Sequence, residues 1–288
     1  MNKVIAIVGA TASGKTAFSI ELAQQINGEI ISADSRLVYK GFDIGTAKPT
    51  PEERCGIPHY MIDIVEPEFD YSVALYKDEA TKIIENILSR GKIPIIVGGT
   101  GLYIDILLKN YDLPRIEADK SLRTQLNNLS KDELFNILLG LDEDAAKIID
   151  KNDKKKVVRS IEIIKKTGLP LAQARNYKDE YLYNIEWYGK NFPRQELYDR
   201  INKRVDLMIE MGLVEETQYL LKKHGRIPNL VNTIGYREII QYLDKILSLE
   251  EATDLLKQNT RNYAKRQLTW FRKNENINWN IYPDKLKK

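Results

Sequence analysis

A glycine-rich stretch near the N-terminus has the residue types and the spacing of a phosphate-binding loop. Residues 9–16, GATASGKT, match the pattern G-x-x-x-x-G-K-[ST] in full. Glycines let such a loop approach an anion closely, and the N–H groups that begin the following helix point toward it. Lys15 would add a positive charge, and Thr16 a hydroxyl ligand for Mg²⁺. A chance glycine-rich turn is the alternative, with odds of about one per cent in a chain of this length.

A carboxylate and a pair of arginines are the next candidates for chemistry at a phosphate site. Asp34 follows a predicted strand, and ligands of open parallel sheets bind outside the carboxyl ends of the strands. A turn or helix-capping aspartate is the alternative. Arg200 and Arg204 lie one helical turn apart, so both guanidinium groups can approach a pyrophosphate. Ion pairs with Glu196 or Asp199 are the alternative for these arginines.

Alternating strands and helices must hold these residues in place. Apolar runs rich in β-branched residues predict strands over 4–8, 28–33, 58–65, 93–97, 184–188 and 278–282. Helices are predicted over 73–89, over 194–211 and after Ser248, with capping residues or glycines at their ends. Residues 39–49 have no steady period and should form an ordered loop over the ligand-binding edge. This order predicts an α/β fold with a three-layer core built on a parallel sheet.

The stretch from 113 to 184 differs, because it shows helical patterns, charged connectors and no strand pattern. Ser130 and Asp153 can each begin a helix there. The apolar residues of the second helix share one face, and its other face carries Lys155, Lys156 and Arg159. A merely solvated basic face is the alternative. We predict an α/β core domain from 1–112 and 185–288 and an all-helical insertion domain from 113–184.

A second basic cluster lies near the C-terminus. Because the formal net charge is only +3, binding to a polyanion must be argued from such local clusters. Residues 262–273, NYAKRQLTWFRK, interleave Lys and Arg with aromatic residues, as surfaces for single-stranded nucleic acid do. Aromatic residues that belong to the core are the alternative. No acidic residue ends the strand over 93–97, which argues against an ordinary nucleotide-hydrolysing motor.

Composition narrows the class of protein further. The chain has 288 residues, of which 43% are hydrophobic and 30% charged, enough for one large domain and a smaller one. No apolar run reaches membrane-spanning length, and the first strand follows Met1-Asn2-Lys3 directly, without room for a signal peptide. One cysteine and two histidines disfavour a disulfide, a structural zinc site and a histidine-centred triad. We therefore expect a cytoplasmic protein that uses carboxylates, cations, hydroxyls and Mg²⁺.

Four stretches together closely resemble one family, the tRNA dimethylallyltransferases, also called tRNA isopentenyltransferases. They are residues 9–16, 32–49, 98–103 and 265–272, and the resemblance spans nearly the whole chain. It implies a P-loop NTPase-like core with a helical insertion that contacts tRNA. The implied reaction transfers a dimethylallyl group from dimethylallyl diphosphate to the N6 amine of the adenosine 3′ of the anticodon. The expected partners are the tRNA anticodon stem-loop and this donor, with no membrane and no second copy of the chain.

The resemblance also assigns roles to particular positions. Asp34 would be the catalytic carboxylate that engages the target amine, assisted by Lys15, Arg204 and a Mg²⁺ ion on Thr16. Arg204 would hold the diphosphate together with Gly9, Ala10, Thr11, Ala12, Ser13, Gly14, Lys15 and Thr16. The implied tRNA contacts are Asp34, Ser35, Arg36, Leu37, Thr100, Arg123, Lys155, Lys156, Val157, Val158, Arg159, Asn232, Gly235, Arg237, Lys265, Arg266 and Arg272. The sequence departs from the family pattern in two places: Ala10 replaces a common proline, and residues 153–156 read Asp-Lys-Lys-Lys instead of Asp-Pro-Gln-Arg.

Three other functions share some of these features. An enzyme that prenylates free adenine nucleotides would share most of the motifs, although the insertion and the basic aromatic helix favour tRNA. A P-loop kinase of small molecules would share the loop and the strand-end aspartate. An RNA-binding NTPase switch would need γ-phosphate chemistry, and the missing strand-end acid argues against it.

Overall fold

The computed structural model describes residues 3–112, 114, 116–117 and 119–279. The chain separates into two compact units, residues 1–108 with 181–288, and residues 109–180. In chain order the elements are β1 (Lys3–Gly9), α1 (Lys15–Ile26), β2 (Gly28–Ser32), β3 (His59–Tyr60), α2 (Val73–Ser89), β4 (Ile93–Gly98), α3 (Gly101–Leu108), β5 (Lys109–Asp112), α4 (Lys120–Asn127), α5 (Lys131–Leu141), α6 (Glu143–Ile148), α7 (Lys154–Thr167), α8 (Leu171–Ala174), β6 (Asn176–Tyr181), β7 (Asn184–Lys190), α9 (Arg194–Glu210), α10 (Leu213–His224), α11 (Pro228–Val231), α12 (Tyr236–Leu243), α13 (Leu249–Phe271) and β8 (Asn278–Trp279).

A six-stranded sheet forms the centre of the larger unit, with the order β3-β2-β4-β1-β7-β8 and parallel pairing throughout. Alternate side chains of β1 pack into hydrophobic clusters on opposite faces of the sheet, because successive side chains of a strand point to opposite faces. Ala6 and Val8 pack into one hydrophobic cluster, and Ile5 and Ile7 into another. Helices therefore cover both faces, which confirms the predicted α/β fold with a parallel sheet. Burial on both faces also explains why the strands read as continuous apolar runs.

The topology brings the ends of β1, β2 and β4 together. After β1 the chain forms β2, β3 and β4 on one side of β1, and later β7 and β8 on the other. Where the order of strand addition reverses in this way, a crevice forms at the carboxyl ends of the strands, and ligands of α/β proteins bind there. Two backbone bonds tie the neighbouring strand ends, since Ala33 N donates to Val97 O at 2.8 Å and Thr100 N to Ala33 O at 3.2 Å.

Several helix starts that the sequence predicted are confirmed. Ser72 Oγ accepts from Leu75 N at the start of α2, and Ser248 forms a capping box at the start of α13. In the smaller unit, Ser130 forms a capping box for α5, and Asp153 caps α7. These signals are local, because the cap and the N–H group that it satisfies lie within three residues.

Two predictions about strands need correction. The stretch 113–184 contains β6, which pairs with β5 in a separate two-stranded sheet, whereas we expected only helices there. Its sequence, NYKDEY, lacks the apolar alternation by which strands are recognised. The third strand is also shorter than the predicted 58–65, since Met61 and Asp63 have positive φ angles of 64° and 56° that end the extended backbone.

The last predicted strand, 278–282, is described only for its first two residues, β8; the others lie outside the described residues. Across the described ranges, no helix is both long enough and apolar enough to cross a membrane.

Candidate active site

The phosphate loop connects β1 to α1 through two backbone positions that require glycine. Gly9 has a φ of +145°, and a Cβ atom there would lie 2.2 Å from the carbonyl oxygen of Lys190. Gly14 has a φ of 80° and is the residue before the first turn of α1. Left-handed backbone at Gly14 turns the chain into the helix, so the first N–H groups of α1 remain available to an anion.

Three cationic side chains border this loop. Lys15 Nζ donates to Ala10 O at 2.6 Å, and Arg200 Nε donates to Ala12 O at 2.9 Å. Arg204 Nη1 lies 3.5 Å from Thr11 Oγ1. The predicted arginine pair therefore contacts the loop, whereas Asp199 accepts from Gln195 Nε2. Burial and, to a smaller extent, the charge of Arg204 lower the pKa of Lys15 to about 7, although the charge of Asp34 acts in the opposite direction.

Asp34 lies where the end of β2 meets the turn after β4. Its Oδ1 accepts from Arg36 N at 2.8 Å, and Thr100 Oγ1 accepts from Ser35 N at 3.2 Å. The two turns touch at Gly98, where a Cβ atom would lie only 2.2 Å from Ala33 O. This close approach explains the glycine that ends β4, and it places Thr100 beside the Asp34 turn.

One cavity of about 100 Å³ joins these groups. Its polar wall includes Lys15, Thr16, Asp34 and Arg204. Its apolar wall includes Ile30, Leu37, Ile62 and Val97. Burial lowers the pKa of Arg204, and the charge of Asp34 opposes that shift, so this carboxylate acts on both cations. An apolar pocket with a few convergent charged groups has the form of a small-molecule binding site.

The loop that the sequence placed over the ligand-binding edge forms part of this wall, through Thr46, Ala47 and Pro49. A carboxylate from α10 holds the loop in place: Glu216 accepts from Ile44 N at 2.8 Å, from Gly45 N at 3.0 Å and from the Tyr236 hydroxyl at 2.6 Å. The Tyr236 ring also fills the space that a Cβ atom on Gly45 would occupy, with atoms 2.6 Å away. Pattern reasoning missed Glu216 and Tyr236, because nothing local in the sequence connects them with this loop.

Two residues of α13 also line the cavity and were missed. Gln267 is 5% exposed; its Oε1 accepts from Thr11 N at 2.8 Å, and its Nε2 donates to Gly99 O at 3.0 Å. Tyr263 lies one turn earlier, and burial, with a contribution from Asp34, raises its pKa to about 12. The sequence did contain a signal: Gln267 falls on the apolar face that Ala264, Leu268 and Phe271 define.

The residues of the larger unit that the resemblance assigns to tRNA lie in three groups. Arg36 Nη1 lies 3.5 Å from Asn229 Oδ1, next to the Asp34 turn. The second group is the segment before and at the start of α12: Asn232 donates to Pro228 O, Gly235 N donates to Glu238, and Arg237 pairs with the same carboxylate. The third is on α13, where Lys265 and Arg266 border an exposed groove with Asn262, Thr269, Trp270 and Lys273, and Arg272 is exposed at the end of the helix.

In the smaller unit, the arginines and lysines assigned to tRNA differ in their surroundings. Glu162 is fully buried and accepts from Arg123 Nε at 3.0 Å, from Arg159 Nη1 and from Asp119 N at 2.7 Å. Burial raises the pKa of Glu162, but these donors outweigh that effect and bring it to about 2. The exposed residues are Lys155 and Lys156, and Lys156 pairs with Asp153 at 3.1 Å.

Two of the α7 residues that the resemblance assigns to tRNA have buried side chains. Val157 and Val158 are 1% and 6% exposed and belong to the hydrophobic core of the smaller unit. Their side chains therefore stabilise the helix, and a contact between RNA and the backbone at these two positions stays a prediction.

The donor set around the loop suits a hard cation. Thr16 is exposed at the start of α1, and Ser32 Oγ in the same cavity is buried, with no hydrogen-bond partner among the described residues. Within the described ranges no three His, Cys, Asp or Glu residues cluster as a metal site would require. Mg²⁺ fits this arrangement, since it takes few protein ligands and completes its shell with phosphate oxygens and water.

The phosphate loop lies where the strand order of a parallel sheet reverses, and a carboxylate and two cations share its cavity. These features define a P-loop α/β protein whose pocket extends beyond the phosphate site. Comparison with known proteins narrows this class. Residues 37–274 match the family model described as IPP transferase, and residues 2–65 match the one described as isopentenyl transferase. The chain belongs to the IPP transferase family.

Individual relatives agree with this assignment over nearly the full chain. The tRNA dimethylallyltransferase of Acetivibrio thermocellus is 47% identical over 286 residues, which are 97% of this chain and 91% of the relative. That of Pelotomaculum thermopropionicum is 45% identical over 282 residues, 96% of this chain and 90% of the relative.

Solved structures agree as well. The tRNA isopentenylpyrophosphate transferase of Bacillus halodurans superposes with a TM-score of 0.75 at 44% identity, covering 99% of this chain and 93% of that one. A eukaryotic dimethylallyltransferase acting on tRNA gives a TM-score of 0.83 at 32% identity, covering 94% of this chain and 70% of that one.

Proposed function

We propose that the protein transfers the dimethylallyl group of dimethylallyl diphosphate to the N6 amine of the adenosine 3′ of the anticodon in tRNA, with release of diphosphate. The observation that carries this proposal is the single cavity in which Asp34 faces Lys15 and Arg204 at the phosphate loop. Membership of the IPP transferase family and the tRNA dimethylallyltransferase relatives support it. We also propose that the enzyme acts as a monomer and in the cytoplasm; the location of Lys15, Asp34 and Arg204 around one cavity and the proposed tRNA substrate support this.

The phosphate loop holds the diphosphate of the donor. As the bond between the allylic carbon and the bridging oxygen breaks, negative charge grows on the diphosphate, and preorganised cations stabilise that charge. Lys15, Arg204 and the N–H groups at the start of α1 supply this stabilisation. Thr16 would hold Mg²⁺, which would supply further neutralisation of the charge on the leaving group. The apolar wall with Ile30, Leu37 and Val97 is suited to the prenyl tail.

Asp34 accepts the proton of the attacking amine. The lone pair of an adenine amine is delocalised into the ring, so the amine is a weak nucleophile until its proton is removed. Loss of the proton to a positioned carboxylate as the C–N bond forms accelerates such a step by about 10²- to 10⁴-fold. The bond from Arg36 N to Asp34 Oδ1 fixes the carboxylate at the edge of the cavity.

Recognition of tRNA is proposed for exposed residues of both units. An unpaired loop base can leave its stack at modest cost, which suits an enzyme that must bring an adenine into a cavity. In the larger unit, Lys265 and Arg266 border a groove with Trp270, which could combine phosphate contacts with base stacking. In the insertion, Lys155 and Lys156 are the exposed cations proposed to meet phosphates.

One experiment separates the proposal from its alternatives. The protein is incubated with labelled dimethylallyl diphosphate and Mg²⁺, together with unmodified tRNA or with AMP, and a parallel reaction contains ATP labelled in its γ-phosphate. Label on tRNA at the adenosine 3′ of the anticodon, slowed by about 10²-fold or more in Asp34→Ala and abolished by a chelator, is the expected result. Label on AMP alone would indicate the nucleotide prenyltransferase. Hydrolysis or transfer of the ATP γ-phosphate with no prenyl transfer would indicate a kinase or NTPase and overturn the proposal.

A further inference from the structure

Helix α13 carries one polar side chain on a face that is otherwise apolar. Its buried residues are Ala252, Leu256, Ala264, Gln267, Leu268 and Phe271, and Gln267 alone among them is polar. A buried amide is destabilising unless its donor and its acceptor are both satisfied. Both ends of Gln267 are satisfied, and both partners belong to the active site rather than to the helix.

The two bonds of Gln267 join separate parts of the site. Its Oε1 accepts from Thr11 N in the phosphate loop, and its Nε2 donates to Gly99 O in the turn after β4. The fit is tight at the second contact, since a Cβ atom on Gly99 would lie 2.0 Å from Nε2. A side chain at Gly99 would therefore displace this amide.

Each partner leads directly to a group that the reaction uses. Thr11 lies between two helices, with Gln267 on its N–H group and Arg204 3.5 Å from its hydroxyl. Gly99 precedes Thr100, which accepts from Ser35 N next to Asp34. One amide thus connects the loop that holds the leaving group with the turn that supports the base.

We propose that Gln267 is a positioning residue, which fixes the phosphate loop relative to the turn that supports Asp34. Its effect on transfer rests on the proposed function. Its effect on the phosphate loop does not, because any diphosphate bound there depends on the same loop geometry. Reacting groups must be held close to their productive arrangement, and small displacements lower rates steeply.

The test replaces Gln267 by methionine, which keeps the length of the side chain and removes both hydrogen bonds. Gln258→Met is the matched control, because Gln258 is an exposed glutamine on the same helix. For the native protein and both variants, kcat and KM are measured for each substrate. The rise in thermal midpoint caused by inorganic diphosphate with Mg²⁺ is recorded separately.

For Gln267→Met we expect kcat/KM for dimethylallyl diphosphate to fall by about 10- to 100-fold, with KM for tRNA changed by less than about twofold. The stabilisation by diphosphate should shrink, and Gln258→Met should behave like the native protein. Native kinetics and native diphosphate binding in Gln267→Met, with only a lower midpoint, would show a purely structural glutamine. A rise confined to KM for tRNA would show that Gln267 contacts RNA instead. Absence of transfer in the native protein would overturn the proposed function, while the diphosphate measurement would still decide the role of Gln267.

Discussion

Replacing Arg204 by glutamine should weaken use of the donor without destabilising the fold. Arg204 is half-buried, and burial lowers its pKa, so its charge is poorly solvated where it lies. It also shares the cavity with Lys15, whose pKa of about 7 reflects burial and the charge of Arg204. Without an anion in the loop, these two cations repel each other. Removing one of them relieves this repulsion in the free protein.

The size of the effect differs between the free and the donor-bound protein. In the free protein the lost hydrogen bond is the one with Thr11 Oγ1 at 3.5 Å, which is too long to contribute more than about 0.5 kcal/mol. The attraction between Arg204 and Asp34 is lost as well, but relief of the burial of the charge and of the repulsion from Lys15 offsets it. With the donor bound, the loss is a charge-assisted bond to diphosphate, about 1.5–3 kcal/mol or about 10- to 150-fold. Charge grows on the leaving group during reaction, so the loss in kcat/KM should lie toward the upper end of this range.

The assay measures kcat/KM for dimethylallyl diphosphate at saturating tRNA, and thermal unfolding with and without inorganic diphosphate. Arg194→Gln is the matched control, because Arg194 is an exposed arginine on the same helix whose guanidinium lies against Tyr198. We expect Arg204→Gln to lose most of the stabilisation by diphosphate and to unfold at or above the native midpoint without it. A midpoint several degrees lower, with kcat/KM unchanged, would refute the reasoning and make Arg204 a structural residue.

Three further changes test other parts of the site and the fold. Asp34→Asn should lower kcat by about 10²-fold or more with little change in tRNA affinity, and a near-native kcat would contradict its role as base. The Lys155→Ala, Lys156→Ala double variant should reduce the slope of log tRNA affinity against log salt by about one to two units, with kcat at saturating tRNA retained. Arg159 is not replaced in this variant, because it pairs with the buried carboxylate of Glu162. An unchanged slope would show that Lys155 and Lys156 do not contact tRNA phosphates. Hydrogen bonds to cations lower the pKa of buried Glu29 from 4.5 to about 2, so its stabilising effect is complete above about pH 4.5 and lost as the pH falls to about 2. Unfolding followed against pH should show this loss in the native protein and not in Glu29→Gln, and parallel profiles would contradict the assignment.

The features that the sequence predicted well depend on residues that are near each other in the chain. The phosphate loop follows from glycines and a lysine within eight residues, and the helix starts from caps such as Ser72 and Ser130. The location of Asp34 near the phosphate loop was predicted from one further rule, that the carboxyl ends of parallel strands lie at the same edge of the sheet. β6 was missed because it pairs with the distant β5 and has a charged sequence.

The contacts that sequence reasoning missed join residues far apart in the chain. Glu216 reaches Ile44, and Gln267 reaches Thr11, across separations that no local pattern encodes. Arg159 shows a different limit. Its position on the helix placed it beside two lysines on the outer face, but its long side chain reaches the buried Glu162. A helical period gives the direction of Cβ, not the place where a flexible charged group ends.

Helix α13 explains how one element can serve both proposed substrates. Its inner face brings Tyr263 and Gln267 to the cavity, and its outer face brings Lys265, Arg266 and Trp270 to the exposed groove. Because a helix has 3.6 residues per turn, the inner and the outer residues alternate along two turns of the sequence, although their side chains lie on different faces of the helix. The rigid backbone of α13 would then fix the position of an RNA in the groove relative to a diphosphate in the loop. Substitutions on the outer face should therefore change KM for tRNA, and those on the inner face the use of the donor, even between adjacent residues such as Arg266 and Gln267.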